Sequence, residues 1–413
     1  MKRVVITGMG IISPLGKNVE DFWEALRKGT SGIKEISAFD TSQLKTKIAG
    51  IVEDFDATAI FGSKEAKKLD RFTQFALAAA EQALQDSQLQ LEQIDPERIG
   101  VYVGSGIGGL NTLIDNVQTL NQRGPNRVSP NLVPMMITNA AAAQISIRLG
   151  AQGPSMSPVT ACSIGNTSIG EAFRAIGNGD ADIIFSGGAE AAISPLALAS
   201  FGNAKALSTN NDTPSQASRP FDQKRDGFIM SEGAGILVLE SYEHAKRRNA
   251  PIYGEVIGYG ASSDAYHMVA THPEGRGAYL AMKQAIKNAK LTINQIDMIS
   301  AHATSTPVGD HSETLAIKQL FKEKAYEIPV TANKSMLGHM LGAAGSVEAI
   351  ALVKSLQSGL IPPTINLKTP DTACDLDYVS EGARPLTNLT IGLSNSFGFG
   401  GHNSAIVIKK FNH

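Results

Sequence analysis

Short runs rich in β-branched residues alternate along the chain with stretches whose apolar residues return every three to four positions. The short runs predict strands over residues 4–7, 99–103, 183–186, 236–240, 254–258, 298–301, 330–332, 391–394 and 404–408. The longer period predicts helices over 72–84, 278–289 and 346–356. This alternation points to an α/β fold with a mainly parallel sheet or sheets. The pattern also runs twice: "VVITGMG" opens the chain and "EVIGYG" opens a second half. A boundary near Ala250 divides residues 1–250 from 251–413, and identity between the halves is negligible. Residues 208–226, rich in Asn, Ser, Pro and Asp, read as a long surface loop.

At 413 residues the chain fits two domains or one large two-lobed fold. A formal net charge of -2 gives no electrostatic reason to expect nucleic acid or a membrane surface as partner. Two cysteines cannot build a disulfide scaffold, so a reducing, cytoplasmic compartment is expected. The start, "MKRVVITGMG", lacks the apolar length of a signal peptide. No run of about 18 apolar residues is present that would span a bilayer.

The candidate chemistry starts at "VTACSIG", residues 159–165. Ile169, Ala172, Phe173 and Ile176 then share one helical face, and Ser163, Gly165, Ser168 and Gly170 keep that helix slim enough to be buried. Gly177 is a plausible stop. Cys162 therefore stands at a helix N-terminus, where free amides and the dipole favour a thiolate and a backbone N–H can face an oxyanion. The alternative is a buried structural cysteine, the reading given to Cys374 in "DTACD".

Two histidines follow apolar strands: His302 in "ISAHATSTPVGDHSE" and His339 in "ANKSMLGHMLGAAG", with Lys334 five residues before the second. No HExxH or paired-cysteine spacing supports a metal site. "SNSFGFGGHNS" interleaves Gly398, Gly400 and Gly401 with two phenylalanines, as a hydrophobic gate would. "GSGIGG" at 104–109 spells a dinucleotide fingerprint, but no second strand and acidic residue follow at the required spacing.

Together "VTACSIG", "AHATSTPVGD", "NKSMLGHMLGAAG" and "SNSFGFGGHN" resemble, in order, the signature segments of β-ketoacyl-[acyl-carrier-protein] synthases of the elongating type, synthase II being the best fit. The resemblance covers the whole chain. It implies a thiolase-like fold of two similar α/β halves in five layers, α-β-α-β-α, assembled as a homodimer. It implies decarboxylative condensation in fatty acid elongation, with acyl carrier protein as partner and no organic cofactor. By residue match, Cys162 is the acylated nucleophile, His302 and His339 are the paired histidines, and Lys334 is the active-site lysine. Phe399 is the gate, and its amide joins that of Cys162 in the oxyanion hole.

The same resemblance places Ile107 and Phe201 in the acyl pocket and Thr304 and Thr306 on the phosphopantetheine arm. Asp264 falls in a loop that moves with the gate, of which Gly400 is part. Glu348, Ser394 and Asn395 match a monovalent-cation site. Lys64, Lys67, Lys68, Arg127 and Lys205 match the carrier-docking positions. Ala303, Asn333, His402, Val269 and Ala270 depart from residues common in relatives, and none of them removes a catalytic group. The rivals are a thiolase or synthase III, a non-catalytic chain-length factor, and a thiol hydrolase. Ser396–Phe397 stands where a degradative thiolase would carry a second cysteine, synthase III pairs its cysteine with His and Asn, and a chain-length factor usually lacks the nucleophile.

Overall fold

The structure is a computed structural model that describes residues 1–412. Ten strands form the main sheet: β1 (Val4–Ile12), β2 (Ile99–Gly104), β3 (Ser155–Met156), β4 (Ile183–Glu190), β5 (Gly233–Ser241), β6 (Gly254–Ser263), β7 (Met298–Ser300), β8 (Val330–Thr331), β9 (Ile391–Gly398) and β10 (His402–Lys410). Their spatial order is β8-β7-β9-β10-β6-β1-β5-β4-β2-β3. Counted outward from the centre, the first half reads 1-5-4-2-3 and the second reads 6-10-9-7-8, which is the same order shifted by five. Duplication is thus written in topology where sequence identity had lost it. The halves join through β1 and β6, with Val4 opposite Val256 and Ile6 opposite Gly254.

The expectation of a mainly parallel sheet needs correction. The five central pairings, from β9–β10 through β4–β5, are antiparallel, and only the outer pairings are parallel. The strand core is buried on both faces, so its apolar runs look like those of a parallel sheet whatever the strand direction.

Alternate residues of each strand feed different layers. Ile183, Phe185, Ile236 and Val238 pack outward against helices α1 (Arg71–Ser87) and α2 (Ala140–Leu149). Ile184, Leu237 and Leu239 pack inward with α3 (Ile164–Asn178) and α6 (Ala344–Ser358). From the other half, Ile406 and Ile408 meet the same central helices, while Leu393 and Val407 turn outward to α4 (Arg276–Asn288) and α5 (Pro307–Phe321). The order is α1/α2, first half-sheet, α3/α6, second half-sheet, α4/α5, giving five layers. The two central helices touch backbone to backbone: a Cβ on Gly165 would stand 2.2 Å from the amide nitrogen of Ser346. Small residues at this contact let both helices be sandwiched between sheets.

Two local expectations change. α3 runs past Gly177 to Asn178 and ends at Gly179, whose left-handed φ of 93° Gly adopts at little cost. Residues 208–226 are not simply a surface loop. Phe221, Asp222 and Arg225 are buried, and Asp222 accepts the backbone N–H groups of Lys368 and Thr369. Its polar residues are internal hydrogen-bond partners for backbone that lacks a sheet ladder.

Candidate active site

Cys162 lies in a 3₁₀ turn, Ala161–Ser163, that leads into α3. Ala161 precedes it at φ 50°, a left-handed conformation that a residue with a Cβ adopts only under constraint. The constraint comes from the far half. The end of β9 is pressed against the turn so closely that a Cβ on Gly398 would lie 2.6 Å from the carbonyl oxygen of Thr160 and 2.9 Å from the amide of Cys162. Only glycine fits there, and its neighbour Phe399 brings a second backbone N–H to the sulfur alongside that of Cys162 itself.

The expected pull of the helix terminus toward a thiolate is present but is opposed by burial. Burial pushes the Cys162 thiol up to about 12. Lys334 and the two amides pull the other way and Glu190 adds to the rise, but desolvation is the largest effect. The helix terminus is real, yet the sulfur beside it is largely desolvated.

His302 follows β7, and its loop is strained, with Ala303 at φ 30° and Ser305 at φ 69°. Two buried carboxyl groups hold that loop. Glu313, on α5, takes the N–H groups of His302 and Ala303 at 2.9 and 2.8 Å. Asp310, one helical turn earlier, takes that of Ser305 at 3.1 Å. Burial raises both carboxyls, Asp310 to about 7. His339 is fastened to the first half: its N–H reaches the carbonyl of Ile229 at 2.7 Å and its carbonyl receives the N–H of Ser231 at 2.9 Å.

The two imidazole centroids are 5.3 Å apart with the rings nearly perpendicular. Burial first, then the charge of Lys334, hold both well below the ordinary imidazole range, and His339 lowers His302 further. Both are therefore neutral near pH 7, each with one N–H to give and one lone pair to accept. Lys334 is buried and paired with buried Glu348 at 2.6 Å. Burial lifts the Glu348 carboxyl to about 7 against that pairing.

A ring of aromatics connects these groups to an apolar pocket. Phe399 sits 6.2 Å from Phe201, Phe201 lies 5.5 Å from Phe228, and Phe228 lies 5.3 Å from His339. Phe397, two residues before Phe399, packs on His302 at 5.6 Å instead. Ile107, Leu110, Phe201 and Cys162 belong to one apolar cluster with Leu198 and Leu341. "GSGIGG" spends its donors internally, because the Gly106 and Ile107 N–H groups and the Ser105 hydroxyl all bind the carboxylate of Glu190.

The other expected residues take up distinct places. The hydroxyls of Thr304 and Thr306 are 3.0 Å apart and partly exposed at the rim. Asp264 accepts from the Asn403 amide at 2.8 Å, and its N–H reaches Gly401. Gly400, at φ 82°, donates to the carbonyl of Met268, so the 264–272 loop and the glycine loop are tied together. Lys64, Lys67, Lys68, Arg127 and Lys205 are all exposed, and among the described residues none is in an ion pair. Cys374 is buried beside Tyr378 in the second half's core. Sequence reasoning missed Glu313, Glu190 and Phe228. Asp310 and Glu313, three apart early in α5, were the available signal for the first.

Family models match the chain as the N-terminal domain of β-ketoacyl synthases over residues 1–245 and the C-terminal domain over 253–368. A curated relative, 3-oxoacyl-[acyl-carrier-protein] synthase 2 of Synechocystis, is 49% identical over 410 residues, 99% of this chain and 98% of the relative. A β-ketoacyl synthase structure from Burkholderia phymatum superposes with a TM-score of 0.93 at 36% identity, over the full length of both chains. A chain from a structure described as a type II polyketide acyl-carrier protein in complex with its ketosynthase gives 0.92 at 33% identity, again over both full chains.

Proposed function

Since the chain belongs to the β-ketoacyl synthase family, we propose that it lengthens carrier-bound acyl chains by decarboxylative condensation, in the manner of a 3-oxoacyl-[acyl-carrier-protein] synthase of fatty acid synthesis. One observation supports this reading above the rest. A part-buried cysteine with two backbone N–H groups at its sulfur shares one site with two neutral, buried histidines, linked to them through Phe228.

In the first half-reaction the Cys162 sulfur attacks an acyl thioester. The new thioester replaces the old one, and the thiol proton leaves on the released carrier. The N–H groups of Cys162 and Phe399 face the oxyanion of the tetrahedral intermediate. The chain lies along Ile107 and Phe201. In the second, a malonyl thioester loses carbon dioxide, and its enolate oxygen takes hydrogen bonds from His302 and His339. Neutral imidazoles donate to that oxygen without fully protonating it, which leaves the carbon nucleophilic. The carbon attacks the acyl-cysteine, giving a 3-oxoacyl carrier and a sulfur that regains a proton. Lys334 pairs with Glu348 and, after burial itself, helps to keep the histidines uncharged.

Glu348 Oε2, Ser394 Oγ and Asn395 Oδ1 are buried oxygens without a hydrogen-bond partner among the described residues, a donor set that fits a monovalent cation. Such an ion would supply positive charge to offset the carboxylates beneath the histidines. The scheme uses no organic cofactor.

The proposal includes three further elements. Acyl carrier protein docks on Lys64, Lys67, Lys68, Arg127 and Lys205, with Thr304 and Thr306 on its arm. A second copy covers the free sheet edge at β3 and the helix Leu110–Arg123, none of whose residues is buried and which exposes Leu113, Val117 and Leu120. The protein works in the cytoplasm; no helix among the described residues is long and apolar enough to cross a membrane. The test is direct. Purified protein given acyl- and malonyl-carrier thioesters should release one carbon dioxide per carrier-bound product two carbons longer. Free fatty acid as the product would instead mark a hydrolase.

A further inference from the structure

The two halves each build the same turn before their central helix. Ala161, at φ 50°, leads through Cys162 and Ser163 into α3, and Leu341, at φ 46°, leads through Gly342 and Ala343 into α6. Gly342 is therefore the counterpart of the nucleophile. At the first turn the amide of Cys162 and one from the opposite half converge on the sulfur. At the second, the amide of Gly342 and one from the opposite half, Gly106, converge on a single oxygen, Glu190 Oε2, at 3.0 and 2.9 Å. The other oxygen of Glu190 takes the Ile107 N–H at 3.1 Å and the Ser105 hydroxyl at 2.8 Å.

Glu190 is fully buried, among four donors and with no cationic partner among the described residues. A buried carboxylate is expensive, and here three backbone N–H groups and one hydroxyl offset that cost. Both glycines are required by it. A Cβ on Gly106 would lie 2.8 Å from Glu190 Oε2, and one on Gly342 would lie 3.0 Å from it. The donors adjoin the wall of the acyl pocket: Ile107 is itself a member of the Cys162 cluster, Gly342 follows another member, Leu341, and Glu190 leads through Ala191 into Ala192 and Ile193 of the same cluster.

We infer that Glu190 is a positioning residue for acyl-chain specificity: it permanently fills a second anion hole, the symmetry mate of the catalytic one, and so fixes the wall formed by Ile107 and Leu341. The inference rests on the condensing reading of the Cys162 site. Replacing Glu190 by Gln keeps the shape but turns an NH₂ group toward donors on one side. The wall would loosen where the chain lies, while the histidine site would keep its own supports, Glu313 and Asp310.

The experiment compares wild type, Glu190→Gln and Ser105→Ala, which removes one donor to the carboxylate. Condensation is measured with acyl thioesters from four to sixteen carbons, with malonyl decarboxylation as the internal reference. Glu190→Gln should change the ratio of long- to short-chain kcat/KM by tenfold or more, with decarboxylation altered less than threefold. Ser105→Ala should shift the ratio in the same direction by a smaller factor. Equal loss across all chain lengths and in decarboxylation, or an unchanged profile, overturns the inference. If Glu190→Gln does not fold, the Ser105→Ala profile alone decides. A wild type that condenses no substrate would overturn the condensing reading itself, an outcome distinct from an active wild type with indifferent variants.

Discussion

Glu313 holds His302 by its backbone rather than by its ring: Oε1 accepts the His302 N–H at 2.9 Å while Oε2 accepts that of Ala303 at 2.8 Å. The imidazole stays free for substrate, and the strained loop that aims it is set by a carboxylate eleven residues on. Glu313→Ala takes the acceptor from three buried donors, the two backbone N–H groups and the Asn395 amide, at about 1–3 kcal/mol each. We predict that this variant loses malonyl decarboxylation by a hundredfold or more, as His302→Ala does, while Cys162 still accepts an acyl group. Radiolabelled carbon dioxide release and intact mass read the two halves separately. Equal loss in both would show that Glu313 supports the whole fold rather than the histidine.

Cys162 should behave as a suppressed thiol. Burial favours its protonated form, so the thiolate fraction at pH 7–8 is small and grows with pH until about 12. An ordinary thiol stops gaining reactivity once pH passes about 8.5–9. Alkylation of Cys162 by iodoacetamide, followed by mass, should still be accelerating at pH 10. A plateau near pH 7 would mean that the turn's dipole outweighs desolvation after all.

Lys334 and Glu348 form a pair with both side chains almost entirely buried. Removing one partner of such a pair costs about 3–5 kcal/mol, because the other is left charged or must change protonation. Lys334→Ala should therefore lower the denaturation midpoint, and replacing both residues by neutral ones of similar size should recover part of the loss. The same cation lowers both histidines. In Lys334→Ala their protonation, followed by NMR, should move to higher pH. Unchanged midpoint and titration would remove Lys334 from this role.

Lys67, Lys68 and Lys205 are exposed and, among the described residues, outside any ion pair. Charges of this kind steer encounter and are screened by salt. Reversing all three to Glu should raise the apparent KM for carrier-bound substrate about tenfold or more at low salt, with less effect at high salt. Turnover of a small acyl-pantetheine mimic should change less than twofold. Equal impairment with both substrates would place the damage in the site.

Cys162, His302, His339 and Phe399 were legible because each ends or follows an apolar run in a short segment of small and polar residues. The structure brings them to one pocket from both halves. Glu190 and Glu313 were not legible as site residues. What distinguishes them is burial among donors, and for Glu190 those donors lie 83 to 85 residues before it and 152 after. The burial of the thiol was not legible for a related reason: a helix terminus can be read locally, whereas desolvation depends on Phe399 and the pocket wall arriving from elsewhere. Strand positions were readable from periodicity, but their direction was not, because buried strands of either direction give the same apolar runs. Phe221 and Asp222 were hidden in a turn-rich segment whose polar groups serve internal backbone.

The central claim is that an acyl group on Cys162 is the intermediate that the malonyl carbon attacks. A pulse of acyl carrier protein followed by a malonyl-carrier chase, with protein and products weighed at each step, tests it most directly. The account predicts one acyl adduct, located on Cys162, that disappears on the chase as an equal amount of a 3-oxoacyl carrier two carbons longer appears. Cys162→Ala should form no adduct and no product. An adduct on Cys374, or one on Cys162 that survives the chase while product accumulates, would contradict it.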